Sequence, residues 1–121
     1  MQTKEKKDPS NIDFLTGLYN RRYLKARLEE DLVNFGEQGK PYSLLVLDLD
    51  YFKMINDTFG HLVGDRVLLR TTGLIKASIR SADVAVRYAG DEFIVLLPGK
   101  TSEQPWQVSA NHSHSRKLGY Y

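Results

Sequence analysis

From Tyr42 to Leu49 the chain is almost continuously apolar, with Leu44-Leu45-Val46-Leu47 at its centre, and the run breaks off into Asp48-Leu49-Asp50. A run this short between helix breakers favours a buried central strand over a helix. Val84 to Tyr88 and Phe93 to Leu97 read as two further strands, and Ala89-Gly90-Asp91-Glu92 between them suits a hairpin turn. One strand therefore ends in carboxylates, and a hairpin tip carries two more. Bringing such like charges together is unfavourable unless a cation lies between them or one carboxylate takes up a proton.

Oxygen ligands without cysteine suit magnesium or manganese. Asp48 and Asp91 are the candidate ligands, and a backbone carbonyl beside them leaves coordination positions for water and phosphate. Ordinary solvated acids at strand ends are the alternative. Glu92 has two readings as well, a helper of the metals or acceptor of a hydroxyl proton, and a solvent-facing hairpin charge. Gly90 lets backbone approach phosphate and tolerates positive φ. If Ala89 had to adopt positive φ, it would be strained by on the order of 1 kcal/mol.

Around these strands the pattern is helical. Tyr19 to about Phe35 repeats Leu24, Leu28, Leu32 and Phe35 on one face, with Arg21, Arg22, Lys25, Arg27, Glu29 and Glu30 opposite, until Gly36 and Gly39-Lys40-Pro41 stop it. Tyr51 to Phe59 suits a short helix. After Gly60 and Gly64, Asp65 to about Ile79 suits a longer one, with Asp65 at its positive end. Asn56 and Asp65 together could read a guanine, the carboxylate accepting from N1–H and the exocyclic amine; as residue types they equally suit helix caps and turns. Lys53 either faces phosphate or is simply exposed. Arg80 and Asp83 form an R-x-x-D pair, either a guanidinium fork for a ligand or a helix-terminal arginine with a turn aspartate.

The rest of the composition narrows the class. A chain of 121 residues forms one domain, its net charge of +2 is too weak to imply a nucleic-acid polymer as partner, and no cysteine is present. No apolar run reaches bilayer-spanning length and no signal-peptide core is evident, so a cytoplasmic location is expected. Residues 1–12 read as a polar leader and residues 102–121 as an irregular tail, in which His112 and His114 lack a third metal ligand.

Several motifs together resemble the GGDEF domain, the diguanylate cyclase family. Asp13-Phe14-Leu15-Thr16-Gly17-Leu18-Tyr19-Asn20-Arg21-Arg22 is similar to the family's D-x-L-T-G-L-x-N-R-R entry. The run from Asp48 to His61 matches D-x-D-x-F-K-x-x-N-D-x-x-G-H, Gly64-Asp65 continues it, and Arg87 to Phe93 supplies the motif that names the family. The resemblance implies an α/β fold, a palm-like, ferredoxin-like nucleotidyl-cyclase domain with a central sheet flanked by helices. It covers residues 13–101, ends near Pro98, and so leaves the domain incomplete. It implies condensation of two GTP into cyclic di-GMP with release of pyrophosphate, an activity that truncation would impair, and a homodimer for catalysis. The alternative is a non-catalytic module that binds GTP or cyclic di-GMP. By resemblance, Asp48, Asp91 and the Leu49 carbonyl hold Mg2+ (or Mn2+), and Glu92 serves the metals or the 3′-hydroxyl. Phe52, Lys53 and Gly90 lie along the phosphates, Asn56 and Asp65 hold guanine, and Arg80 and Asp83 form an inhibitory product site. Ala89 departs from the family pattern by replacing its first glycine.

Overall fold

The computed structural model describes residues 8–99 and the backbone of Lys117–Tyr120. Residues 1–7, most of the expected tail, and His112 and His114 with it, lie outside the described residues. Helix α1 (Arg21–Gln38) is followed by strand β1 (Tyr42–Asp48), helices α2 (Phe52–Phe59) and α3 (His61–Ser78), and strands β2 (Val84–Ala89), β3 (Glu92–Pro98) and β4 (Lys117–Tyr120). The sheet order is β2-β3-β1-β4, and β1 pairs antiparallel with both β3 and β4. β1 and β2 are thus parallel, with β3 between them and α2 and α3 in the crossover. This is the split βαβ arrangement expected of a ferredoxin-like domain.

Side-chain alternation along β1 and β3 divides the core in two. Leu45, Leu47, Phe93, Val95 and Leu97 form one cluster with Leu68 and Ile75 of α3. Ile94 and Leu96 form the other with Tyr23 and Leu24 of α1, against which Tyr42, Leu44 and Val46 also pack. The central strand is therefore covered on both faces, as its unbroken apolar run requires.

Three expectations about the helices need correction. The α1 stripe is displaced: Leu32 is 56% exposed, while Asp31 is buried at 5%. Arg27, expected on the solvent side, places its Nε 3.0 Å from the Asp31 carboxylate, and the Tyr42 hydroxyl donates to the same carboxylate at 2.6 Å. A buried acid is thus neutralised and tied to the first residue of β1, because a buried charge persists only when paired and hydrogen-bonded. Second, α1 continues through Gly36 to Gln38, and of the expected stops it is Gly39, at φ 64°, that ends it. Third, α3 begins at His61, so Gly64 lies inside the helix and Asp65 in its second turn rather than at its start.

Both ends of the chain also differ from expectation. Asp8 caps a 3-10 turn at Pro9–Asn11, and Ile12 bridges Tyr19, so the last part of the expected leader belongs to the fold. Lys117–Tyr120, expected to be irregular, pair with Leu45 to Asp48 and cover the β1 edge. Among the described residues, no helix is long and apolar enough to cross a membrane.

Burial, followed by the Asp31 charge beside it, pushes the Tyr42 phenol above its ordinary pKa. A pKa raised on folding gives stability that is complete below the unfolded value, about 10, and is lost as pH rises through the folded one. Tyr42→Phe should destabilise the domain by about 1–2 kcal/mol at pH 7 by leaving Asp31 one donor short. In urea titrations the gap to wild type should narrow above pH 10; a gap that widens there would contradict this account.

Candidate active site at the acidic end of the sheet

The β1–β3 register places Asp48 opposite Glu92, and the Leu49 N–H donates to the Asp91 carbonyl at 3.1 Å. Leu49 and Asp91 therefore occupy a hydrogen-bonded position. The next pair, Asp48 and Glu92, occupies a non-hydrogen-bonded position, where Cα atoms approach to about 4.5 Å and side chains are closest. The structure thus brings Asp48, Asp91 and Glu92 to one end of the sheet, with Glu92 directly across from Asp48. Like charges so placed repel.

The hairpin that carries them closes on Gly90 and Asp91, between the paired residues Ala89 and Glu92. Neither Ala89 nor Gly90 has positive φ, so the strain that left-handed backbone would bring at Ala89 does not arise. A register shift between Arg87 and Ala89 leaves Tyr88 as a bulge that takes up the twist. A Cβ on Gly90 would meet nothing within 4 Å, so the approach to the turn is open.

Arg87 braces this hairpin. Its Nη2 donates to the Gly90 carbonyl at 3.0 Å, and its Nη1 lies 3.3 Å from the Asp13 carboxylate. That carboxylate also accepts from Thr16 N at 2.9 Å and Thr16 Oγ1 at 2.7 Å. The D-x-L-T-G-L entry is thereby fastened to the hairpin. It is also stitched to β2, where Tyr19 N–H donates to Ala85 O and Arg87 N–H to Tyr19 O. The residue types give no sign of this contact, because its partners are 74 positions apart.

Beside the acids, α2 starts without a side-chain cap, and its N-cap residue Tyr51 is left-handed at φ 62°. Such a conformation strains a non-glycine residue by about 1–2 kcal/mol, and strain of this kind concentrates at functional sites. It sets the start of α2, with the N–H groups of Phe52 and Lys53, just past Asp48 in the chain. The first-turn N–H groups of a helix favour an anion, and Lys53 is exposed beside them.

Across the α2–α3 junction the Asn56 amide lies against Gly64, the residue before Asp65. Neither caps a helix: Gly60 is the N-cap of α3 and Asp65 follows a full turn later. Asn56 Oδ1 is buried without a hydrogen-bond partner. Arg80 and Asp83, in contrast, satisfy one another. Arg80 Nη2 lies 2.6 Å from Asp83 Oδ1, Arg80 N donates to Asp83 Oδ2, and Nη2 also donates to the Pro98 carbonyl at 2.7 Å. The Asp83 side chain is fully buried, so this pair clamps the end of α3 to the end of β3.

Among the described residues, no three His, Asp or Glu side chains converge as a metal cage.

Comparison with known proteins resolves what these residues belong to. The family model described as "Diguanylate cyclase, GGDEF domain" matches residues 10–117. This chain belongs to the GGDEF diguanylate cyclase family. It is 43% identical over 105 residues to the diguanylate cyclase DgcP of Pseudomonas aeruginosa, covering 87% of this chain and 16% of that protein. It is 44% identical over 86 residues to the response regulator PleD of Caulobacter vibrioides, covering 71% and 19%. The chain thus spans less than a fifth of these relatives' length. The crystal structure of diguanylate cyclase SiaD with its activator SiaC, from Pseudomonas aeruginosa, superposes with a TM-score of 0.82 at 32% identity, covering 98% of this chain and 50% of that one. The GGDEF domain of DgcB from Caulobacter crescentus, in complex with c-di-GMP, gives 0.76 at 33% identity over 80% and 55%. The GGDEF match extends beyond Pro98, to residue 117.

Two expectations test this geometry. Burial works against the charge on Asp13, but the Thr16 hydrogen bonds and the Arg87 guanidinium outweigh it and hold the carboxyl below its ordinary pKa. Stability from a lowered pKa is present above the unfolded value, about 3.9, and is lost as pH falls through the folded one. Asp13→Asn should therefore melt below wild type at pH 7, and the difference should shrink below about pH 4; a difference that persists at pH 2 would count against this assignment. Arg80→Ala should cost about 2 kcal/mol by removing the charged partner of buried Asp83, read as a lower urea midpoint, and an unchanged midpoint would show the clamp to be idle.

Proposed function

We propose that the chain binds GTP at the acidic end of the sheet and condenses it, as a homodimer, to cyclic di-GMP. The observation that carries this reading is the facing pair Asp48 and Glu92, beside Asp91 and the uncapped start of α2. Two carboxylates in a non-hydrogen-bonded cross-strand position favour a cation between them, and N–H groups alongside favour an anion. A metal-bound triphosphate supplies both.

In this reading Asp48, Asp91 and the Leu49 carbonyl hold Mg2+ or Mn2+, with Glu92 as the neighbouring acid. A bound divalent cation would offset charge on the phosphates and lower the pKa of a nearby hydroxyl. The backbone from Tyr51 through Phe52 to Lys53 and the open turn at Gly90 receive the phosphates. Asn56 and Asp65 take the guanine, because neither is engaged in capping. The 3′-oxygen of one GTP bonds to the α-phosphorus of the other, the bond from that phosphorus to pyrophosphate breaks, and the hydroxyl proton leaves to a base, a part for which Glu92 is available. A second, reciprocal step closes the ring and releases the second pyrophosphate. One site per chain makes two copies necessary, and effective concentration in the dimer then governs the rate. GTP as substrate implies a cytoplasmic reaction.

The alternative, cyclic di-GMP bound without turnover at Arg80 and Asp83, is less favoured because that guanidinium already serves Asp83 and Pro98. The test is cyclic di-GMP production by the chain fused to a dimerising coiled coil, with GTP and magnesium. Asp48→Asn and Glu92→Gln should each lower the rate by about 100-fold or more. No product from the forced dimer, or an Asp48→Asn variant as fast as wild type, would end the cyclase proposal.

A further inference from the structure

Gly64 shapes the base-reading site although it presents no side chain. It lies buried in α3, and a Cβ built on it would overlap the Asn56 side-chain oxygen and stand 2.9 Å from Asn56 Cγ and 3.4 Å from Phe52 Cζ. That same Asn56 oxygen is buried with no hydrogen-bond partner. The end of the Asn56 amide thus sits in a notch that exists only because residue 64 has no Cβ. A helix interior gains about 1 kcal/mol when glycine is replaced by alanine, so helix stability alone does not account for glycine here.

We infer that Gly64 is a specificity-positioning residue: its notch holds the Asn56 amide so that the NH2 group, rather than the oxygen, faces the base beside Asp65. This rests on the guanine assignment of Asn56 and Asp65 made above. With Oδ1 turned inward against α3, the exposed end of the amide is a donor. Asp65, the next residue of α3, supplies an acceptor. The pair then offers one donor and one acceptor at neighbouring positions. Guanine answers with N1–H and its exocyclic amine for the carboxylate, and with a flanking acceptor, O6 or N3, for the amide. Adenine has no N1–H, so it would leave the carboxylate facing an acceptor. Sites that match buried polar groups in this way reject the unmatched analogue strongly.

Alanine at residue 64 need not unfold the helix pair. The atom it displaces is the far end of a side chain, and rotation of Asn56 relieves the overlap while α3 keeps a better helix former. Base selectivity and stability therefore separate. Nucleotide affinity is measured by calorimetry with GTP and ATP in magnesium for wild type, Gly64→Ala, Asn56→Ala and the double variant, with thermal melts of each. Wild type is expected to prefer GTP. Gly64→Ala should lose about tenfold or more of that preference, the equivalent of one hydrogen bond to the base, with no fall in melting temperature. In the Asn56→Ala background, where no amide remains to displace, adding Gly64→Ala should change the preference no further. A Gly64→Ala variant that keeps the wild-type GTP-to-ATP ratio, while Asn56→Ala loses it, overturns this inference and leaves the guanine assignment standing. So does a further loss of preference on adding Gly64→Ala to Asn56→Ala. A wild-type chain that binds GTP and ATP equally overturns both.

Discussion

The register of β1 on β3 is the constraint from which the site follows. It pairs Tyr42 with Pro98 at one end and Asp48 with Glu92 at the other. A slip of one residue would turn Leu45, Leu47, Phe93 and Val95 out of the α3-side cluster, so apolar burial fixes the pairing firmly. The same pairing leaves two acids facing each other where the apolar rows end. Electrostatic repulsion at one cross-strand position is worth about 1 kcal/mol, while each core side chain buried contributes about 1.5–3 kcal/mol. The core therefore dictates the placement of the acids.

Fastenings at both ends of the sheet keep that register useful. At the far end, the Arg27–Asp31–Tyr42 cluster ties α1 to the first residue of β1. At the acidic end, Arg87 holds the Gly90 carbonyl and reaches the Asp13 turn. The entry segment is therefore mechanically continuous with the hairpin. The Arg80–Asp83 clamp does the same for the end of α3 against the end of β3. In each case a buried or half-buried carboxylate is satisfied by arginine: Arg80 meets Asp83 through both Nε and Nη2, while Arg27 and Arg87 each bring one nitrogen to both oxygens and turn another to a neighbouring oxygen, of Tyr23 and Gly90.

Much of this was legible in the chain. The three central strands, the short helix after Asp50 and the hairpin at Gly90 follow from apolar runs and breakers, and the motif order pointed to the family. The errors have physical causes. Leu32 fits a helical repeat, yet Asp31 takes the buried place because Arg27 and Tyr42 neutralise it. Gly64 looks like a breaker, yet it sits within α3 because helix packing against Asn56 needs the missing Cβ. Lys117–Tyr120 carry no strand pattern, yet they pair with β1 because its edge presents unpaired backbone groups.

The amino-acid order by itself determined where the three central strands and the helical stretches lie and which acids stand at the strand ends, because those features arise between residues a few positions apart. Tertiary structure decided which acid faces which, that Asp48 stands opposite Glu92 while Asp91 lies across from Leu49. It also decided that Asn56 fits into the space at Gly64 and that Asp13 meets Arg87. Such contacts depend on how distant segments pack, and short-range periodicity carries no record of the partner a side chain will meet.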